Sequence, residues 1–325
     1  MSSRSYHDFF FLIIVFLLFL FGFLGPSFWK IQQAQFNISQ FQKFFDEVIV
    51  EDIKKSTKFE INKNYLSSDQ FDNKTAVLQW SKFILNNVNN NIPIARMYFS
   101  HIPRNISEYE IKKRKTVFIA ILLPIALRGN ELALEQRKHM KMAFVKNNIN
   151  KIEYFSKKYK VSNSKNIKFS SLDQSQLNKI KAELLMKINT IPISMILSQA
   201  IIESGWGSSR FAQEGNALFG QWTWKNNDGI KPQKNLNANF SVKNFKNLSE
   251  SVNSYILNLN THPAYNELRK YRSLQLHMGN TVTGYEMANF LQHYAEIGYE
   301  YVTKVKNMIK TNKLNKFKNS KLENF

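Results

Sequence analysis

Cysteine is absent from this chain of 325 residues, which removes disulfides and thiolate chemistry from any account of it. Its six histidines show no metal-ligand spacing such as H-E-x-x-H, and no cofactor motif is visible, so the expected chemistry uses neither metal nor cofactor. Acidic residues are scarce: 24 Asp and Glu stand against 45 Lys and Arg, a net charge of +21. Basic and aromatic residues together invite a nucleic-acid reading, since phosphates attract Lys and Arg and bases stack on rings. The lysines are scattered among Asn and Ile, however, and long-range attraction to an anionic cell envelope accounts for the charge as well. Nucleic acid is not an expected partner. No internal repeat is apparent. Glycine is also sparse, yet five of the 11, Gly205, Gly207, Gly215, Gly220 and Gly229, fall in one short stretch. That concentration implies tight turns and close approach of backbone to something.

Charge is missing altogether from Phe9 to Trp29, where Phe, Leu, Ile and Val dominate. About 21 such residues suffice to span a bilayer. A small-residue cleavage site is lacking, because Gly22, Gly25 and Ser27 sit among Phe, Pro and Trp, so a retained anchor is expected rather than a cleaved signal peptide. Downstream, the amphipathic stretches Phe36 to Ile53 and Ala76 to Val88 suggest helices with polar connections. The apolar run Val117 to Leu127 follows Lys112-Lys113-Arg114-Lys115 and is interrupted by Pro124; it is too short to cross a membrane and is expected as a buried helix. Residues 161–171 read as a linker.

The most informative stretch is Ala200 to Trp224. It holds three of the five tryptophans, and Glu203 is the one charged residue between Lys187 and Arg210. Pro192 suits a first helical turn and Gly205 a stop, which predicts a helix of about twelve residues. At helical spacing Ile196, Gln199, Ala200 and Glu203 share a stripe, so the carboxyl lies on or beside the inward face. Desolvation and the carbonyl-rich helix end both disfavour its charged form, which predicts a raised pKa and a general acid; a glutamate on a solvated helix end is the plainer alternative. Trp206, Phe211, Phe219, Trp222 and Trp224 stand around the glycines. Flat apolar rings with a polar edge suit the faces of pyranose sugars, although core packing would also use them.

Ser198-Gln199-Ala200-Ile201-Ile202-Glu203-Ser204-Gly205-Trp206-Gly207-Ser208-Ser209-Arg210-Phe211-Ala212 and Gly215-Asn216-Ala217-Leu218-Phe219-Gly220-Gln221-Trp222 resemble the Bax-type branch of the family 73 glycoside hydrolases, peptidoglycan N-acetylglucosaminidases. Asn258-Leu259-Asn260-Thr261-His262-Pro263-Ala264-Tyr265 and Tyr294-Ala295-Glu296-Ile297-Gly298-Tyr299-Glu300-Tyr301-Val302 agree with it. A weaker likeness extends upstream through Leu122-Leu123-Pro124-Ile125-Ala126-Leu127-Arg128. The resemblance implies a mainly α, lysozyme-like helical hydrolase domain with a small β-hairpin, here preceded by a helical region and the N-terminal transmembrane helix. Gly229 to Pro232 and Phe240 to Phe245 read as the hairpin's extended segments. Helices are expected to resume at Leu248 to Asn260, Thr283 to Ala295 and Tyr299 to Lys310. The resulting division is a tail at 1–8, the anchor at 9–29, an accessory region with linker at 30–165, the glucosaminidase domain at 166–315 and a basic tail at 316–325.

By resemblance Glu203 is the general acid that protonates the departing glycosidic oxygen. Glycosidases usually add a second carboxylate, yet between Glu214 and Glu250 the sole acid is Asp228, in an Asn-Asn-Asp-Gly turn. Three candidates stay open for the second role: Asp228, Glu296, and the 2-acetamido oxygen of the substrate itself, which is favoured. Tyr265 and Tyr294 match cleft tyrosines whose hydroxyls could orient the acetamido group or cap a buried network. Trp206, Asn216, Phe219, Gln221, Trp222 and Tyr265 are expected to bind substrate. The implied partners are peptidoglycan glycan strands and, through the anchor, the inner membrane, with the catalytic domain periplasmic or otherwise extracytoplasmic. The rival reading is a non-catalytic glycan-binding module on a degenerate hydrolase fold.

Overall fold

Pro192 and Gly205 bracket the helix on which the fold is centred. The computed structural model describes residues 74–161, 168–224, 229–231 and 239–324, with the backbone of 65–66. The expected anchor at 9–29, the stretch Phe36 to Ile53 and Asp228 lie outside the described residues. The described residues are mainly helical, and all belong to one compact unit, 62–325.

Helix α1, Lys74–Asn89, turns Val77, Trp80, Ser81, Ile84 and Val88 inward, the spacing expected of one helical face. The chain then gives β2, Tyr98–Phe99, which pairs in parallel with β1, Tyr65–Leu66. Helix α2, Ile111–Val145, runs for 35 residues straight through Pro124, the residue expected to interrupt it. Every residue from Val117 to Leu127 is buried, as the apolar run predicts. By length and composition α2 could cross a membrane, but 67% of its apolar window is buried inside the fold, which identifies a core helix. It packs against α1 and, further along, against α3, Ile149–Lys158.

The end of α2, together with α3 and α4, Gln174–Lys187, builds a second apolar cluster around Met140, Phe155, Leu184 and Ile188. The stretch read as a linker is only partly described, at 161 and 168–171, and its Phe169 is anchored in this cluster. Asp173 caps α4 by accepting from the Gln176 amide at 2.7 Å, while Gln176 Oε1 accepts from the Asp173 amide, a reciprocal box that fixes where the helix starts.

Helix α5, Ile193–Ser204, has the predicted length, with Pro192 as its N-cap and not its first residue. Ten of its 12 residues are buried, so its sides are enclosed by α2, by α10 (Tyr299–Thr311), by α9 (Gly284–Met287) and by the 3-10 turn Leu314–Asn319. Gly205 ends it in the left-handed region at φ 57°, which costs any other L-residue strain. A short α6, Arg210–Gly215, follows and leads into a small sheet.

The sheet holds the two expected segments as β4, Gly229–Ile230, and β5, Ser241–Lys243, plus an unforeseen β3, Trp222–Thr223. Strand β5 is central and antiparallel to both neighbours, with Trp222 opposite Val242 and Ile230 opposite the same residue. Helix α7, Leu248–Thr261, then α8, Asn266–His277, return to the helical body. The helix expected over Thr283 to Ala295 is a correction: α9 stops after four residues and passes into a 3-10 turn at Ala288–Phe290. Met287, Ala288 and Leu291 are buried all the same, so the stretch keeps an inward face through the change of turn. The stretch 316–324 is packed down, with Phe317 and Leu322 buried and Leu322 bridged to Ile94.

Candidate active site

Glu203 occupies the last turn of α5, four residues after Gln199 and therefore on the same side of the helix. Its carboxyl is half-buried. Burial pushes its pKa above the usual carboxylate range, and a hydrogen bond from Tyr301 opposes part of that rise. The two oxygens differ. Oε1 accepts from the Tyr301 hydroxyl at 2.6 Å. Oε2 faces Gly220, and a Cβ built there would lie 3.5 Å from it. Gly220 has φ +58°, so the chain opposite the carboxyl turns in a way that favours glycine and leaves that side of Oε2 free of a side chain.

Aromatic rings close the site from behind. Tyr294 stacks on Tyr301 with centroids 5.1 Å apart and planes 11° apart, and Phe219 stacks on Tyr255 at 4.0 Å and 12°. The Tyr294 hydroxyl donates to the Phe219 carbonyl at 3.0 Å, tying the segment before α10 to the loop before β3. Tyr265 lies 6.3 Å from Tyr294, and burial lifts its hydroxyl pKa to about 12. Burial likewise drives the pKa values of Tyr255, Tyr294 and Tyr301 well upward, so these phenols stay neutral and act through hydrogen bonds.

The residues expected to bind sugar are placed in three ways. Trp222 and Trp224 are open to solvent, at 50% and 70% exposure, and Trp222 stacks on Phe240 at 4.6 Å. Trp222 stands two residues beyond Gly220, roughly 7 Å of extended chain from the acid's neighbour. Phe219, Asn216 and Tyr265 are buried: the Phe219 ring lies against Tyr255, and Asn216 sits at φ 52° with its Nδ2 donating to the Phe245 carbonyl at 3.0 Å. Trp206 and Gln221 are intermediate. Trp206 packs edge-on to Phe118 with Lys115 above its ring, while Gln221 reaches the Ser254 carbonyl at 3.4 Å and its Oε1 has no partner among the described residues. Glu296 is exposed on the turn before α10.

Three residues now in the site were read from sequence only as parts of patterns. Gln199 belonged to the inward stripe and Tyr255 to the helix expected at Leu248 to Asn260; Tyr301 lay within the last matching block. The available signal was the four-residue spacing from Gln199 to Glu203. A cavity of about 1050 Å³ opens at the other end of α5 and is lined by Ile193 and Ser194. Size alone makes such a cavity a default candidate. Nine residues of helix, roughly 14 Å, separate Ser194 from Glu203, and the cavity does not reach the carboxyl.

Residues 179–314 match the glucosaminidase family, described as mannosyl-glycoprotein endo-beta-N-acetylglucosaminidase. The chain is also 37% identical over 118 residues to the protein Bax of Escherichia coli (strain K12), an alignment covering 36% of this chain and 42% of that protein. Together the two matches support a Bax-type glucosaminidase-domain protein, with the family model covering residues 179–314. The chain thus spans less than half the length of Bax in the part that aligns. No solved structure matches it. The matched residues 179–314 hold all the elements of the site: α5 with Glu203, the Gly220 loop, the sheet with Trp222, and α10 with Tyr301.

Proposed function

We propose that the domain hydrolyses peptidoglycan at the β-1,4 bond after N-acetylglucosamine, with Glu203 as general acid, on the outer side of the cytoplasmic membrane. The observation that carries this reading is the asymmetric Glu203 carboxyl: half-buried, raised in pKa, bonded by Tyr301 on one oxygen and facing Gly220 with the other. A protonated carboxyl in such a place donates to a leaving oxygen near neutral pH. The exposed rings of Trp222 and Trp224 offer flat apolar faces beside it for a pyranose chain. The family's description, mannosyl-glycoprotein endo-beta-N-acetylglucosaminidase, names an endo cut at N-acetylglucosamine and supports the bond chosen.

For the second role we favour the substrate's own acetamido oxygen, which attacks the anomeric carbon as Glu203 protonates the leaving oxygen. Because the hydrogen of the Tyr294 hydroxyl is committed to the Phe219 carbonyl, that oxygen can only accept, and an acetamido N–H is the donor that suits it. Water then opens the oxazolinium ring, returning its proton to Glu203. Retention in the inner membrane through 9–29 completes the reading. Digestion of purified peptidoglycan by the full chain, with mass analysis of the new reducing ends, tests it. N-acetylglucosamine ends support it, muramic acid ends move the cut to the other bond, and binding without release favours the non-catalytic glycan binder.

A further inference from the structure

Behind the Glu203 carboxyl runs a chain of hydrogen bonds whose direction is set at its buried end. Tyr255, on α7 and fully buried, donates to Gln199 Oε1 at 2.5 Å. Gln199, equally buried, donates from Nε2 to the Tyr301 hydroxyl oxygen at 3.0 Å. Tyr301 donates in turn to Glu203 Oε1 at 2.6 Å. Each phenol has one hydrogen and the amide has distinct donor and acceptor ends, so the three bonds form a one-way series.

Reversing the amide would reverse the series. Gln199 Oε1 would then take the Tyr301 hydrogen, and the Tyr301 oxygen would have to accept from a proton on Glu203 Oε1, the rear oxygen. It would also turn Nε2 toward Tyr255, leaving that hydroxyl hydrogen without an acceptor: among the described residues Gln199 Oε1 is its hydrogen-bond partner, and the Phe219 ring covers its ring. An unmade bond of a buried hydroxyl is unfavourable, which selects the direction observed.

We propose that Gln199 is a positioning residue that decides which oxygen of Glu203 carries the transferable proton. With Oε1 occupied as an acceptor, the proton is held on Oε2, the oxygen beside Gly220 that faces the substrate side. This rests on the reading of Glu203 as general acid. Tyr255 acts one step further back, as the group that keeps the amide from turning over. Tyr294 and Tyr265, the other titratable groups packed around this cluster, enter it through ring contacts and not through its hydrogen bonds.

The test compares full-length variants on soluble glycan chains, with kcat and KM followed against pH. Gln199→Glu keeps the shape. While the introduced carboxyl is protonated it accepts from Tyr255 and donates to Tyr301, so the series keeps its direction; once ionised it only accepts and draws the Tyr301 hydrogen away from Glu203. The expected result is near-wild-type kcat at acid pH and a fall of at least about tenfold relative to wild type as the new group ionises, with KM unchanged. Tyr255→Phe should lower kcat severalfold without altering KM, and it carries the test if the first variant does not fold. A pH–kcat profile of Gln199→Glu parallel to wild type, or a wild-type kcat in Tyr255→Phe, overturns the proposal. Glu203→Gln separates the two levels: if it is folded and active, the general-acid reading itself falls, whereas if it is inactive and Gln199→Glu still tracks wild type, only the role of Gln199 falls.

Discussion

The Tyr301 hydroxyl reaches Glu203 Oε1 at 2.6 Å from a helix 98 positions further along the chain. That bond and burial pull on the carboxyl in opposite senses: burial favours the neutral acid, and the phenol favours the carboxylate. Burial prevails, because a single neutral donor does not replace the water removed from a carboxylate at the end of an apolar helix. The result is an acid that is both held in place and ready to give up its proton.

Glu203→Gln keeps the side chain's shape and removes the proton. Turnover should fall by at least the roughly 100-fold that a general acid contributes, while binding to peptidoglycan persists. Turnover counted as new reducing ends, beside a co-sedimentation assay for binding, checks both halves; near-wild-type cleavage by a well-folded variant would sink the assignment.

The same substitution should stabilise the protein in a pH-dependent way. Glu203 has a folded-state pKa above its unfolded value, so its contribution to stability is fully present below the unfolded value, about 4.3, and is lost as pH rises through the folded one. A neutral Gln suffers no such loss. Thermal melts should show Glu203→Gln matching wild type at acid pH and melting higher above the folded pKa. The same Tm difference at every pH would contradict the raised pKa.

Gly220→Ala tests the turn that faces Oε2. An alanine at φ +58° bears about 1–2 kcal/mol of strain, and its Cβ would stand 3.5 Å from the carboxyl oxygen that is to meet the substrate. Both Tm and kcat should fall. Loss of Tm with full activity would show that the space beside Oε2 is not used.

Sequence and structure agree where the signals are local. Gly205 at a left-handed helix end, Pro192 at a helix start and the periodic inward face of α1 each act within a turn or two of chain, so they could be read directly. Val117 to Leu127 was legible as a buried helix, although its continuation through Pro124 was not, because the enclosure that supports α2 comes from elements far away in sequence. The break after α9 was hidden for a different reason: Met287 and Leu291 stay buried through the change of turn, at the four-residue spacing of a helix. Glu203 stood out because one charge in an apolar run is visible in the letters. The hydrogen bonds joining Tyr301, Gln199 and Tyr255 to it did not stand out: the four-residue step from Gln199 to Glu203 shows a shared face, but contacts spanning 98, 102 and 56 positions leave no mark in spacing.

Trp224→Ala removes an aromatic face that is 70% exposed, so it should leave Tm nearly unchanged, within the roughly 0.5 kcal/mol typical of surface substitutions. If that ring stacks on the glycan, KM for soluble chains should rise severalfold while kcat holds. An unchanged KM would assign the ring to some other contact.

The identity of the second catalytic group follows from Asp228→Asn. If the acetamido oxygen attacks the anomeric carbon, this variant keeps most of its activity, and an oxazoline mimic of the cyclic intermediate inhibits wild type and variant alike. If Asp228 is instead the base, its amide form should fail almost as completely as Glu203→Gln, because both proton transfers belong to one reaction. Substrates lacking the acetamido group add a third reading: they should be inert under the first mechanism and cleaved under the second. A folded, inactive Asp228→Asn enzyme, with wild type indifferent to the oxazoline mimic, would replace the substrate-assisted route with a two-carboxylate one and leave Glu203 as the acid in both.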